Sequence, residues 1–130
     1  MSNINGRVLK EIFLYAYHSL AKNKEAVNAL NVFPVPDGDT GTNMTLTMHS
    51  AMNQLEKSEE EAVDKVSKIV SNGSLMGARG NSGVILSQIL RGFANGLEGC
   101  QEIDRLFLAQ AFEAAAATAY KAVMKPTEGT

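Results

Sequence analysis

The sequence predicts an all-α protein, and three observations carry the prediction. Apolar residues recur at three- and four-residue steps through most of the chain. No segment alternates apolar and polar residues without prolines inside it, as a half-buried strand would. The punctuation between the periodic stretches is glycine, proline and helix-capping residues.

Taken in order, Ile4 to Asn23 reads as an amphipathic helix whose apolar face is Val8, Ile12, Tyr15, Ala16 and Leu20. A shorter helical piece, Lys24 to Leu30, follows. Asn31 to Thr42 holds two prolines, which cannot hydrogen-bond through their nitrogens, and two glycines, which permit left-handed backbone, so it is a stiff, shaped loop. A helix then opens near Thr42, with Thr42 or Asn43 near its cap. Met44, Thr47, Met48, Ala51, Met52 and Leu55 lie along one face of it, a methionine stripe that fills irregular core gaps. Ser58 and Glu61 have the spacing of a capping box for the next helix, whose buried face is Val63, Val66, Ile69 and Val70 and which ends at Asn72-Gly73 or as late as Met76. A further helix begins near Ser82, with Val84, Ile85, Ile89, Leu90 and Phe93 as its apolar set. Asp104 caps a long alanine-rich helix that runs through Met124 and stops before Pro126. The turn-like ending directly after that helix leads us to expect a single domain, residues 1–130, that is truncated at its C-terminal end.

Composition excludes several classes of function. The chain has 130 residues, 12 Lys+Arg against 14 Asp+Glu, and a net charge of −2, so it lacks the basic surplus that phosphate-backbone binding needs. No nucleic-acid partner is expected. No apolar run approaches the roughly 20 residues of a transmembrane helix, and the N-terminus has no signal-peptide pattern, so the expected location is the cytoplasm. The single cysteine, Cys100, allows neither an internal disulfide nor a cysteine metal cluster and reads as a bystander at a turn. His18 and His49 read as helix-surface residues.

Two loops carry chemistry. Asp37 and Asp39 stand two apart beside the oxygens of Thr40, Thr42 and Asn43, a donor set for one hard cation. Magnesium commonly takes one or two carboxylates and fills its other positions with water and phosphate oxygens. A calcium helix-loop-helix site fits poorly: counted from Asp37, the fifth position is Gly41, the sixth is Thr42 where glycine belongs, and the twelfth is Met48 where a glutamate belongs. The second loop, Gly80-Asn81-Ser82-Gly83 at the mouth of a helix, offers backbone N–H groups and a positive helix pole, both suited to phosphate, with Arg79 adding a charge. It is neither a Walker loop, since no lysine follows the last glycine, nor a dinucleotide fingerprint, which needs a preceding strand. Together the loops point to a magnesium-nucleotide site outside the usual α/β folds.

The segments Asn31-Val-Phe-Pro-Val-Pro-Asp-Gly-Asp-Thr-Gly-Thr-Asn-Met44 and Leu75-Met-Gly-Ala-Arg-Gly-Asn-Ser-Gly-Val-Ile-Leu-Ser87 resemble those of the DhaL-type nucleotide-binding domain of dihydroxyacetone kinase-like proteins. Within that family they are most similar to the N-terminal, ATP-binding domain of the fatty acid kinases. The resemblance implies an up-and-down barrel of eight antiparallel helices that binds ATP or ADP and two Mg2+ ions at one end. It implies metal ligation by Asp37 and Asp39, with Asn31, after a one-residue shift, as the nearest counterpart of a third aspartate in the dihydroxyacetone kinases. It implies nucleotide contacts from Thr40, Gly41, Thr42 and Asn43, from Gly80, Asn81, Ser82 and Gly83, and from Gly129 and Thr130 near the base.

The implied activity is phosphoryl transfer to a fatty acid held on a carrier protein, yielding an acyl phosphate. The alternatives are dihydroxyacetone as acceptor, presented by a separate dihydroxyacetone-binding subunit, or a metal- and nucleotide-binding module without turnover. A fatty-acid carboxylate is already ionised at pH 7, so no general base is needed, in keeping with the shortage of histidine. Beyond the metal and phosphate ligands, no catalytic residue is expected. An apolar face left by absent helices would favour oligomerisation.

Overall fold

A computed structural model describes residues 3–29 and 39–129 of the chain. Six helices occupy them: α1 (Gly6–Lys22), α2 (Lys24–Ala29), α3 (Thr40–Glu56), α4 (Val63–Met76), α5 (Gly80–Gly96) and α6 (Arg105–Gly129). Among the described residues the sole extended pairing is an isolated antiparallel bridge between Ile4 and Ile103. The fold is all-α, consistent with the DhaL type.

Short connections force consecutive long helices to run antiparallel, and the contacts bear this out. Ser50 of α3 donates its hydroxyl to the Gly73 carbonyl of α4 at 2.9 Å, and Gly92 of α5 lies against Ala115 of α6. The amino ends of α3 and α5 therefore share one end of the bundle, which we call the upper end. Those of α1, α4 and α6 share the other.

The core between them is apolar and aromatic. Leu9 and Phe13 of α1, Met48, Met52 and Leu55 of α3, Val63, Val66 and Val70 of α4, and Leu90 and Phe93 of α5 are all buried in one cluster. Phe93 stacks on Phe112 with ring centroids 4.0 Å apart and meets Phe13 edge-on at 5.9 Å, which joins α1, α5 and α6. The methionine stripe of α3 lies in this core at Met48 and Met52, as expected.

The lower end is tied by backbone groups. Ile4 and Ile103 exchange hydrogen bonds of 2.6 and 2.9 Å, Gly6 N–H donates to the Glu61 carbonyl at 2.7 Å, and Val63 and Asp64 N–H donate to the Gln101 and Cys100 carbonyls at 3.0 and 2.9 Å. Lys10 Nζ reaches the Ser58 carbonyl at 3.1 Å. A β-carbon on Gly6 would stand 2.5 Å from the Glu61 carbonyl carbon, so only glycine permits this approach.

These ties explain where the structure departs from the sequence reading. The capping box at Ser58 and Glu61 does not form. Helix α4 starts at Val63, its first amides are satisfied by carbonyls of the α5–α6 connection, and the Ser58 hydroxyl instead accepts the Glu60 amide at 3.1 Å. On α1 the buried face is Leu9 and Phe13, with Ile12 and Leu20 partly covered, whereas Val8 and Tyr15 are exposed. Helices α3 and α5 each begin two residues earlier than expected, at Thr40 and Gly80. Helix α6 passes Pro126 and reaches Gly129, although the proline has no N–H to give the preceding turn. Other expectations match: Asp104 caps α6 by accepting the Phe107 amide at 2.7 Å, and Cys100 sits in the turn after α5 as a free, half-buried thiol. Helix α1 starts at Gly6 rather than Ile4, capped by Asn5, which accepts the Val8 amide at 3.0 Å. Among the described residues no helix is long and apolar enough to cross a membrane.

Candidate functional site at the amino ends of α3 and α5

The amino ends of α3 and α5, at Thr40 and Gly80, lie 40 residues apart along the chain, and the antiparallel course of α3, α4 and α5 returns both to the upper end. Their meeting is built from side chains. Thr47, fully buried two turns into α3, donates its hydroxyl to the Asn43 carbonyl at 2.8 Å and accepts the Arg79 amide at 3.1 Å. Gly83 presses on that same hydroxyl so closely that a β-carbon there would collide with it. Gly80 turns the chain into α5 with φ +65°, in the left-handed region that glycine tolerates. A β-carbon at Gly80 would stand 2.5 Å from Asn43 Nδ2. Ser82 directs its hydroxyl toward the Thr40 carbonyl at 3.5 Å.

A second junction joins α2 to α3. Asn28 Nδ2 donates to Thr42 Oγ1 at 3.0 Å, and the Thr42 amide donates to Asn28 Oδ1 at 3.0 Å. Gly41 allows the approach, since a β-carbon on it would collide with the Lys24 carbonyl and touch Val27.

Asp39 is exposed and occupies the N-cap position of α3, yet its side chain makes no capping hydrogen bond. Thr40, Thr42, Asn43 and Ser82 are half-buried, Gly41 and Gly83 are buried, and Asn81 and Gly80 are exposed. Gly129 closes α6, whose antiparallel course carries it toward the upper end. Asn31, Asp37 and Thr130 lie outside the described residues, as does the Phe33-Pro-Val-Pro36 approach. The structure thus brings Thr40 and Asn43 together with Gly80, Ser82 and Gly83, and ties Thr42 to Asn28. Among the described residues no group of three His, Cys, Asp or Glu side chains gathers as a metal site. His18 and His49, both exposed, flank Tyr17 with ring centroids 5.5 and 6.0 Å from it, and they take no part in this junction.

Two positive helix poles meet here, and neither helix carries an acidic residue in its first turn. Each pole is equivalent to about half a positive charge on unsatisfied N–H groups, and the exposed Arg79 at the N-cap of α5 adds a full one. A cation at a helix N-terminus opposes the dipole, so the junction is electrostatically complementary to an anion. Sequence reasoning does not reveal Asn28, and it reads Thr47 only as part of the buried face of α3. Nothing in the neighbours of either marks the hydrogen bonds it makes to other helices.

Gly80→Ala tests how tightly the junction is fitted. We expect a stability loss of about 1–2 kcal/mol from the left-handed backbone alone and a displaced Asn43 side chain. Urea unfolding and the Asn43 side-chain amide resonances read the two effects. An unmoved Asn43 would show that the close approach is not needed.

A family model described as the DAK2 domain matches residues 34–130. The chain is 50% identical over all of its 130 residues to uncharacterized proteins of Staphylococcus aureus strains USA300, NCTC 8325 / PS 47 and COL, and it covers 24% of the length of each. It therefore spans about a quarter of the length of the curated relatives it matches.

Proposed function

The chain belongs to the DAK2 domain family of kinase-related proteins, and from that premise we propose that its upper end binds the phosphates of ATP or ADP for magnesium-dependent phosphoryl transfer. The observation that carries the reading is the convergence of the amino ends of α3 and α5 on one small junction held by Thr47 and the glycines Gly80 and Gly83. In this reading the α5 loop, Gly80 to Gly83, and the first turn of α3, Thr40 to Asn43, hold phosphate oxygens through N–H and O–H donors. Gly129 and Thr130 approach the base.

Magnesium would be held in part by Asp39. Asp39 stands at the mouth of α3 with a carboxylate that is not spent on capping, and Asp37 and Asn31 would complete the set. When bound, two Mg2+ ions would supply charge neutralisation on the phosphates. The protein's own share is alignment and donor groups fixed before the reaction, which is most of what phosphoryl transfer requires.

The acceptor we propose is the carboxylate of a fatty acid presented by a carrier protein in the cytoplasm. A carboxylate oxygen forms a bond to the γ-phosphorus, the bond from that phosphorus to the ADP oxygen breaks, and no proton has to move. The support is the similarity of both loops to the fatty acid kinases, and a carboxylate acceptor needs no base.

Calorimetric titration of ATP and ADP into the full-length protein, with and without magnesium, tests the nucleotide site. Trapping by hydroxylamine after incubation with ATP and carrier-bound fatty acid tests the acceptor, since acyl phosphates yield hydroxamates. Magnesium-dependent binding and a hydroxamate are the expected results. Binding without hydroxamate, but with phosphate transfer to dihydroxyacetone in the presence of a dihydroxyacetone-binding subunit, would reassign the acceptor. No nucleotide binding by the folded protein would overturn the reading.

A further inference from the structure

The third residue of a helix, counted from its first, is where an N-cap side chain normally delivers its hydrogen bond. In α3 that residue is Thr42, and the N-cap is Asp39. The Thr42 amide is satisfied instead by Asn28, from another helix 14 positions earlier in the chain. Hydrogen-bond logic assigns the orientation of the Asn28 amide. The Thr42 N–H can only donate, so it must face Oδ1, which leaves the Asn28 NH2 facing the Thr42 hydroxyl oxygen. That hydroxyl therefore accepts from Asn28, and its own hydrogen points away from it and meets no acceptor among the described residues.

We propose that Asn28 is a positioning residue of the nucleotide site: it caps α3 in place of Asp39, which leaves the Asp39 carboxylate to a cation, and it sets the Thr42 hydroxyl as a donor to a phosphate oxygen. The proposal rests on the nucleotide reading above and names a residue that reading does not contain. It also narrows the part played by Thr42. Its backbone amide is engaged within the protein, so its contact with a phosphate is made through the hydroxyl. The close packing of α2 on Gly41 holds Asn28 at the required distance, because any β-carbon at that glycine would drive the Lys24 carbonyl away.

The experiment is a double-mutant cycle in the full-length protein, with MgADP affinity measured by calorimetry and stability by thermal melting. Asn28→Asp keeps an oxygen for the Thr42 amide, and hence the cap, but has no N–H to give. Its carboxylate takes the hydroxyl's hydrogen for itself and adds a negative charge beside the phosphates. We expect a melting temperature close to that of the unaltered protein and MgADP affinity lowered at least about tenfold, the scale of a hydrogen bond to a charged group.

Thr42→Val removes the hydroxyl while leaving the amide bond to Asn28 in place, and we expect a similar loss, most of it recovered in Thr42→Ser. Adding Asn28→Ala to Thr42→Val should lower affinity by less than the two single losses combined, since the share of Asn28 that acts through that hydroxyl is already gone and only its cap remains to lose. A role in folding alone would move melting temperatures and leave affinity unchanged. Unaltered affinity in Asn28→Asp or Thr42→Val, with normal binding by the unaltered protein, overturns this inference and spares the nucleotide reading. Absence of binding by the unaltered protein overturns both.

Discussion

Asp39→Ala is expected to abolish magnesium-dependent nucleotide binding while leaving helix content and melting temperature nearly unchanged. The separation of the two effects follows from the structure. Truncating a capping aspartate ordinarily costs a helix about 0.5–2 kcal/mol, but the Asp39 side chain makes no capping bond, and the Thr42 amide it would serve is held by Asn28. Folding therefore loses little. Binding loses much, because a magnesium site commonly rests on only one or two carboxylates, and removing one leaves the phosphate charge facing the helix poles without its counter-ion. Asp37→Ala should behave the same way in binding. Titration of ADP with and without magnesium, beside circular dichroism at rising temperature, reads both quantities. Undiminished magnesium-dependent affinity in either variant would remove that aspartate from the metal site.

Phe93→Ala should produce the largest loss of stability. Phe93 is fully buried, stacks on Phe112 with planes 16° apart, and meets Phe13 edge-on at 83°. It is the ring through which α1, α5 and α6 touch. Truncating a buried phenylalanine costs about 3–5 kcal/mol through lost transfer energy and the cavity left behind, and a fall in melting temperature of roughly 10–20 °C is expected for a domain of this size. Nucleotide affinity measured well below the transition should hold, because the junction of α3 and α5 is built from other atoms. A melting temperature lowered by only a degree or two would mean that neighbouring side chains close the cavity, and that the aromatic trio is not the centre of the core.

The helices and the turn into α5 are legible in the sequence because their causes are local. Glycine at a left-handed position, as at Gly80, and an apolar stripe such as Met48, Met52 and Leu55 declare themselves within a few residues. What is not legible depends on partners far along the chain. The apolar residues of α1 wrap far enough around it to offer two faces, and only packing against Phe93 and Phe112 selects Leu9 and Phe13 over Val8 and Tyr15. The residues Ser58 to Glu61 carry the local pattern of a helix start, yet the helix begins later, because the Glu61 carbonyl is taken by Gly6 and the first amides of α4 are met by Gln101 and Cys100. Within the site, the aspartate and glycine loops stand out, whereas Asn28 and Thr47 do not, since a mid-helix asparagine or threonine more commonly bonds only its own helix or water.

The two ends of the bundle are fastened by different kinds of atoms, and this sets how freely each can change over evolutionary time. At the lower end the joints are main-chain amides and carbonyls, among them Ile4 with Ile103, Gly6 with Glu61, and Val63 with Gln101. Most substitutions leave such groups untouched, so the loops 57–62 and 97–104 can drift in sequence while the closure persists, with Gly6 and any incoming proline as the exceptions. At the upper end the joints are the side chains of Asn28, Thr42, Asn43 and Thr47 against glycines that admit no β-carbon. Tolerance is thus concentrated at one pole of the molecule and constraint at the other, and a deep mutational scan should trace that polarity along the bundle axis.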